Sequence, residues 1–275
     1  MSFFEEQPVE TRSKLETCID EIRQWMSQSF LMLNDSKTEF MIFNSRKDYS
    51  LESFNCIRVG EVHVESQSSV RNLGVIFDSQ LSMEKHVNNI CKTAYYYLRC
   101  IGRIRKFLSR PDTEKLVHAF VTSRLDSCNS LLMGLPDKNC ISKLQKVQNA
   151  AARIVTKSRK YDHITPVLKS LHWLPIRQRI DFKVMTICFK CLHGLAPQYL
   201  SELVSWYVPR RSLRSGAKFL MDESLVSGKE RFSARSFKNY SPKRWNKLSE
   251  AVRSCQTLDT FKSKLKTHLF GIAFK

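Results

Sequence analysis

Two groups of side chains in this sequence have the types and spacing to do chemistry. The first is a series of arginines and lysines with aromatic residues among them: Arg99, Arg103, Arg105, Lys106 and Arg110 lie close to Tyr95, Tyr96, Tyr97 and Phe107, and Lys143, Lys146, Arg153, Lys157, Arg159 and Lys160 follow. Cations of this kind pair with phosphates and aromatic rings stack on sugars or bases, so the pattern fits a nucleic-acid contact. Arg99, Arg103, Lys106 and Arg110 keep helical spacing and form one basic ridge; the plainer reading is a solvated helix face. A third set, Arg210, Arg211, Arg214, Lys229, Arg231, Arg235, Lys238, Lys243 and Arg244, sits in Gly/Ser-rich sequence and reads as an RNA-binding arm or as a stretch without fixed structure. The second group is Cys188 and Cys191 with His193. A structural zinc site needs four ligands, usually from two separated pairs. Here Cys255 stands alone, and His172 and His268 fall in unrelated segments. On a helix the two cysteines share a face with Val184 and Ile187, so they read as core thiols and no metal site is expected. The seven histidines and the serines show no nucleophile–base spacing, which leaves a hydrolase reading without support.

The charge balance sharpens the first group. The chain of 275 residues carries a formal net charge of +19, distributed unevenly. Residues 1–90 hold 9 Lys/Arg against 14 Asp/Glu, and residues 91–275 hold 36 against 12. A step of that size points to two functional regions, the second facing a polyanion, with nucleic acid ahead of an acidic membrane surface. No apolar run approaches the ~20 residues that span a bilayer, so no membrane partner is expected. The start, Met1-Ser2-Phe3-Phe4-Glu5-Glu6, lacks the basic flank and apolar stretch of a signal peptide. With neither feature the chain is expected in the cytoplasm or nucleus, and in that reducing compartment nine scattered cysteines, an odd number, read as free thiols.

The elements that must position these residues change character along the chain. Residues 14–28 place Leu15, Ile19, Ile22, Trp25 and Met26 at helical spacing, and Asn34-Asp35-Ser36 ends that helix. Thr38–Phe43, Phe54–Val59, Val62–Val64 and Val70–Phe77 read as strands, with Gly60-Glu61 as a hairpin turn. From Met83 the period becomes helical: 83–108, then a helix opened by Pro111-Asp112-Thr113-Glu114 and reaching 133, then 138–157, 175–192, a short helix after Pro197, and finally 242–253 and 257–270. Residues 205–240 read as loop-rich. The expected fold is α+β, antiparallel strands and a helix followed by a mainly helical, basic remainder.

Several strings resemble those of LINE-type reverse transcriptases of non-LTR retrotransposons, of the chicken-repeat and jockey-like clades. They are IRQWM (22–26), LNDSKTEFMIF (33–43), SVRNLGVIFDSQLSMEKHV (69–87), LDSCNSLLMGLP (125–136), LQKVQNAAARIV (144–155), LHWLPIRQRIDFKV (171–184), HGLAPQYL (193–200), and WNKL followed by TFKSKLKTHLF. They keep the family's order and together cover nearly the whole chain. The resemblance implies that residues 1–80 are the end of the polymerase palm, 81–160 a helical thumb and 161–275 the element's basic C-terminal region. It implies that Lys37 lies near the incoming nucleotide's phosphates, where the plainer reading is a lysine that organises a turn. It also implies that Asn72, Leu73 and Gly74 form the primer grip, in a hairpin that holds the primer end; a glycine there equally marks a bulge.

Family members join nucleotides with two Mg²⁺ ions held by aspartates, two of them in a Tyr-x-Asp-Asp turn upstream of the helix at 14–28. This sequence has no Asp-Asp pair; Glu5-Glu6, Asp20-Glu21 and Asp222-Glu223 fall in a terminus, an amphipathic helix and a loop. The resemblance therefore implies a truncated, non-catalytic piece of an RNA-directed DNA polymerase that needs no cofactor itself and holds RNA or DNA. Two alternatives stay open: one part of an intact polymerase encoded with an upstream catalytic half, and a co-opted host protein that binds nucleic acid or another protein.

Overall fold

The computed structural model describes residues 8–43, 55–208, 219–223 and 233–275. They are mixed helix and antiparallel strand, and divide into two compact units, Met1–Lys85 and His86–Lys275.

In the first unit, helix α1 (Pro8–Gln28) lies on a hairpin of β1 (Cys56–Val59) and β2 (Val62–Glu65). Leu15 and Ile19 of α1, with Leu33 and Phe40, pack against the buried Ile57, Val59 and Val64. Polar contacts fix the helix on the strand. Glu16 accepts the Arg58 amide at 2.8 Å and Arg12 Nε at 3.0 Å, and Asp20 pairs with Arg58. Burial pushes the Glu16 carboxyl up, but those two donors outweigh it and hold it below the usual range. The amphipathic stripe expected on α1 is covered only in part: Ile22 and Trp25 are exposed, because four-residue strands cannot span a helix this long. Gly60, at φ +62°, opens the two-residue turn between β1 and β2, as a type II′ turn requires.

Two strand expectations change. Thr38–Phe43 forms no strand: only Phe40 pairs, in one parallel bridge to Ser66, after a single 3₁₀ turn at Asp35–Lys37. A β-prone run becomes a strand only where a neighbour's amides and carbonyls run alongside it, and β2 ends at Glu65. The stretch Val70–Phe77 is a hairpin, β3 (Ser69–Asn72) and β4 (Val75–Asp78), turning at Leu73 (φ +47°) and Gly74 (φ +85°). Positive φ at both central residues is the type I′ signature, whose twist matches the flanking strands. Asp78 then takes the amides of Ser82 and Met83, both at 2.8 Å, and turns the chain toward α2 (Glu84–Ile104). The start of the expected strand at Phe54 lies outside the described residues.

The second unit is helical. Helix α2 buries His86, Val87, Ile90, Ala94, Leu98 and Ile101 along one stripe, and its last turn tightens into a 3₁₀ segment at Arg105–Phe107. Ser109 caps α3 (Arg110–Val117) by accepting the Asp112 amide, with Pro111 in the first turn. The helix expected to reach 133 passes through a π turn at His118–Thr122 into α4 (Ser123–Asp126) and stops there. Cys128 is left-handed (φ +51°), and Asp126 is held from outside by the guanidinium of Arg179, with Arg179 Nε at 2.8 Å. Helix α5 (Ser142–Thr156) ends at Lys157, also left-handed, and α6 (Ile164–Ser170) follows where no helix was expected.

Helix α7 (Ile176–Leu192) is the hub. It packs against α5 and α4, against α8 (Gln198–Ser201), and against α9 (Phe237–Trp245) and α11 (Leu258–Ala273), the last reached after α10 (Glu250–Arg253). Gln145 accepts the Ile176 amide and buried Gln148 donates to Leu174 O, so α5 sets where α7 starts. At the other end Phe189, Phe261 and Trp245 stack at 4.5 and 5.5 Å between centroids, all fully buried. Truncating any one of them to alanine costs about 3–5 kcal/mol. Cys188 and Cys191 are buried in this core, as the apolar face predicts, and burial pushes the Cys188 thiol up to about 12. The residues divided in the sequence at 160/161 thus pack as one unit.

The helix expected at 242–253 is two, because α9 begins before Pro242 and the chain breaks at Leu248-Ser249 before α10. Within the stretch read as loop-rich, Trp206 pairs with Met221, which is buried, and Trp206 meets Trp245 edge-on. Tyr240 donates to Asp181 at 2.7 Å and accepts from Arg244 Nε at 3.2 Å, tying α9 to α7.

Candidate nucleic-acid interface

Basic residues that follow α3 converge on one feature, with a single tyrosine from α2. Tyr95 from α2, Lys146, Asn149, Ala150, Arg153 and Ile154 from α5, and Lys160 from the loop after it line an open groove of about 500 Å³. Helix periodicity explains the α5 contribution. Leu144, Val147, Gln148, Ala151 and Val155 face the core, which turns Lys146, Ala150 and Arg153 outward at steps of four and three. Among the described residues, the groove's lining has three cations and no carboxylate.

Lys160 is placed by a pinned loop. Left-handed Lys157 turns the chain off α5; Arg153 then donates from Nε to Arg159 O at 3.3 Å and from Nη2 to Asp162 O at 3.1 Å. Asp162 closes the loop on itself by accepting the Arg159 amide at 2.6 Å. Arg153 thus both ties this loop to α5 and lines the groove. Asn149 gives its amide oxygen to Gln145 at 2.8 Å, which leaves its NH₂ group to donate outward. Burial pushes the Tyr95 phenol up, with Cys91 adding to the effect, so the ring stays uncharged at neutral pH.

The other residues singled out in the sequence divide by what their side chains touch. Arg99, Arg103, Lys106 and Arg110 are exposed, but not as one straight ridge. The first two lie on α2, Lys106 lies in the 3₁₀ turn and Arg110 begins α3, because Leu108 and Ser109 are extended. Arg105 is occupied otherwise: Nε donates to Ile154 O at 2.8 Å, Nη2 to Val155 O at 3.0 Å and Nη1 to Leu108 O at 2.8 Å. A cation on the last carbonyls of α5 completes that helix end. Lys143 Nζ donates to Asn88 at 2.9 Å, and Lys157 and Arg159 are exposed in the pinned loop.

Sequence reasoning missed Asn149 and Tyr161. Tyr161 is 92% exposed with Lys160 Nζ 5.9 Å from its ring centre, and its place beside a lysine in a basic stretch was the available signal. Of the third basic set, Arg210, Arg211, Arg214, Lys229 and Arg231 lie outside the described residues, and Arg244 belongs to the Tyr240–Asp181 cluster.

In the first unit, Lys37 is exposed at the end of the 3₁₀ turn, where the Asn34 side chain accepts its amide. Asn72, Leu73 and Gly74 form the tip of the β3–β4 hairpin, and Leu73 is 95% exposed there. Among the described residues no three His, Cys, Asp or Glu side chains gather as metal ligands. No helix among the described residues is long and apolar enough to cross a membrane. No protein-family model, curated protein or solved structure matches this chain.

Proposed function

We propose that this chain holds RNA or DNA by its phosphates, the part played by the thumb and primer grip of the LINE-type reverse transcriptases its sequence resembles. The observation that carries the reading is the carboxylate-free groove. Tyr95, Lys146, Arg153 and Lys160, from three separate segments, line one concavity, in a unit whose further cations Arg99, Arg103, Lys106 and Arg110 are exposed. The reading gives the chain no step of nucleotide joining, because the sequence has no adjacent pair of aspartates to share two metal ions.

Salt titration of binding tests it. Each phosphate neutralised on a single strand contributes about −0.7 to the slope of log K against log salt, so four contacts give about −3. A fourfold rise in salt then weakens binding roughly fifty-fold. Replacing Arg99 and Arg103 with glutamine lowers the slope by about 1.4 and leaves sequence preference unchanged. Affinity that stays constant across that range of salt rules the reading out.

A further inference from the structure

The groove is built for more than a phosphate row. A strand tracked only by its backbone needs cations along a surface. Here the cations surround a concavity whose remaining wall is a phenol ring and the side chains of Ala150 and Ile154. Its volume of about 500 Å³ falls among pockets that take a small organic molecule. Its lining side chains supply three cations, Lys146, Arg153 and Lys160, together with the Asn149 amide and the Tyr95 hydroxyl. The loop that carries Lys160 is tied back to α5, because Arg153 donates to the carbonyls of Arg159 and Asp162.

We infer that this groove is a subsite for one unpaired nucleotide of a single strand, its base against Tyr95 and its phosphate between Lys146, Arg153 and Lys160. The inference rests on the nucleic-acid reading above and adds the form of the ligand. The Tyr95 ring is partly exposed on an open groove, where a base that has left its stack can lie against it. In a duplex the base faces are covered and the backbone is presented on a convex rim. Stacking on an aromatic side chain is tolerant of base identity, so the subsite discriminates strandedness rather than sequence.

The test uses the full chain and fluorescence anisotropy, with a labelled oligothymidylate and a blunt duplex of equal length at one salt concentration. The single strand binds roughly tenfold more tightly than the duplex, the scale of one base–aromatic stack. Tyr95→Leu removes that preference and Tyr95→Phe keeps it. Lys160→Ala, in an exposed loop outside the helical core, weakens binding of the single strand more than of the duplex. Equal binding of the two probes, unchanged in Tyr95→Leu, overturns the subsite and leaves the general phosphate-holding role standing. Failure of the parent chain to bind either probe removes both.

Discussion

Replacing Arg105 with methionine separates a cation that builds the fold from the cations that face solvent. In the structure its guanidinium donates to Ile154 O, Val155 O and Leu108 O at 2.8–3.0 Å, closing the end of α5 against the turn after α2. Hydrogen bonds from a charged donor contribute about 1.5–3 kcal/mol each when fully formed. Three sharing one partly exposed group are discounted to about 1 kcal/mol each, so the substitution costs about 3 kcal/mol in total. For a unit of this size that lowers Tm by roughly 6–12 °C. Methionine keeps the apolar stem, so the loss isolates the donors, and Arg105→Lys recovers only part because one ammonium cannot reach three carbonyls. Urea unfolding gives the stability, and anisotropy with a single-stranded probe, at a temperature where each variant is folded, gives the affinity. Stability falls and affinity stays within twofold of the parent. Unchanged stability together with an affinity loss as large as that of Arg99→Gln would show that Arg105 contacts ligand and that the helix-end role is wrong.

Two further outcomes follow from geometry elsewhere. Gly60→Ala places a methyl group at φ +62° and drives it into the Arg23 guanidinium, which pairs with Asp35 at 2.6 Å; the first unit loses about 1–2 kcal/mol, read as roughly tenfold faster hydrogen exchange of the β1 and β2 amides. Burial, with the Asp181 charge behind it, raises the Tyr240 phenol from 10.0 to about 12. A raised pKa means that its stabilisation is complete below the unfolded value and is lost as pH climbs through the folded one. The second unit therefore weakens between about pH 10 and 12, and Tyr240→Phe flattens that alkaline slope while lowering neutral-pH stability by about 1 kcal/mol in urea titrations.

The sequence conveyed periodicity well and interruptions poorly. The stripes of α2, α5 and α7 follow from apolar residues recurring every three or four positions, and the β1–β2 turn follows from Gly60 between valine-rich segments. The break at Ser127-Cys128 carries no Gly or Pro; it depends on Asp126 being held by Arg179, a partner 53 positions away. The residue pattern read Val70–Phe77 as one strand because leucine rarely takes positive φ, whereas the resemblance of the NLGV string to a family hairpin pointed to a turn there. In the candidate site, residue type and local spacing pointed to Lys146, Arg153 and Lys160. That Arg105 faces the end of α5 could not be read locally, since its acceptors are backbone carbonyls, which every sequence supplies equally. Asn149 was missed for a related reason: its outward NH₂ depends on Gln145 taking the oxygen.

Helix α7 has a consequence for how much of the chain the groove requires. The groove's own residues end at Lys160, yet α5 rests on α7, and α7 in turn rests on α9 and α11. A chain stopped before Leu258 would keep every groove residue but lose Phe261, Leu265 and Leu269, uncovering the apolar side of α7. The groove is therefore less modular than its lining residues suggest. An insertion in a distant surface loop can be borne, whereas a premature end far downstream takes the groove with it.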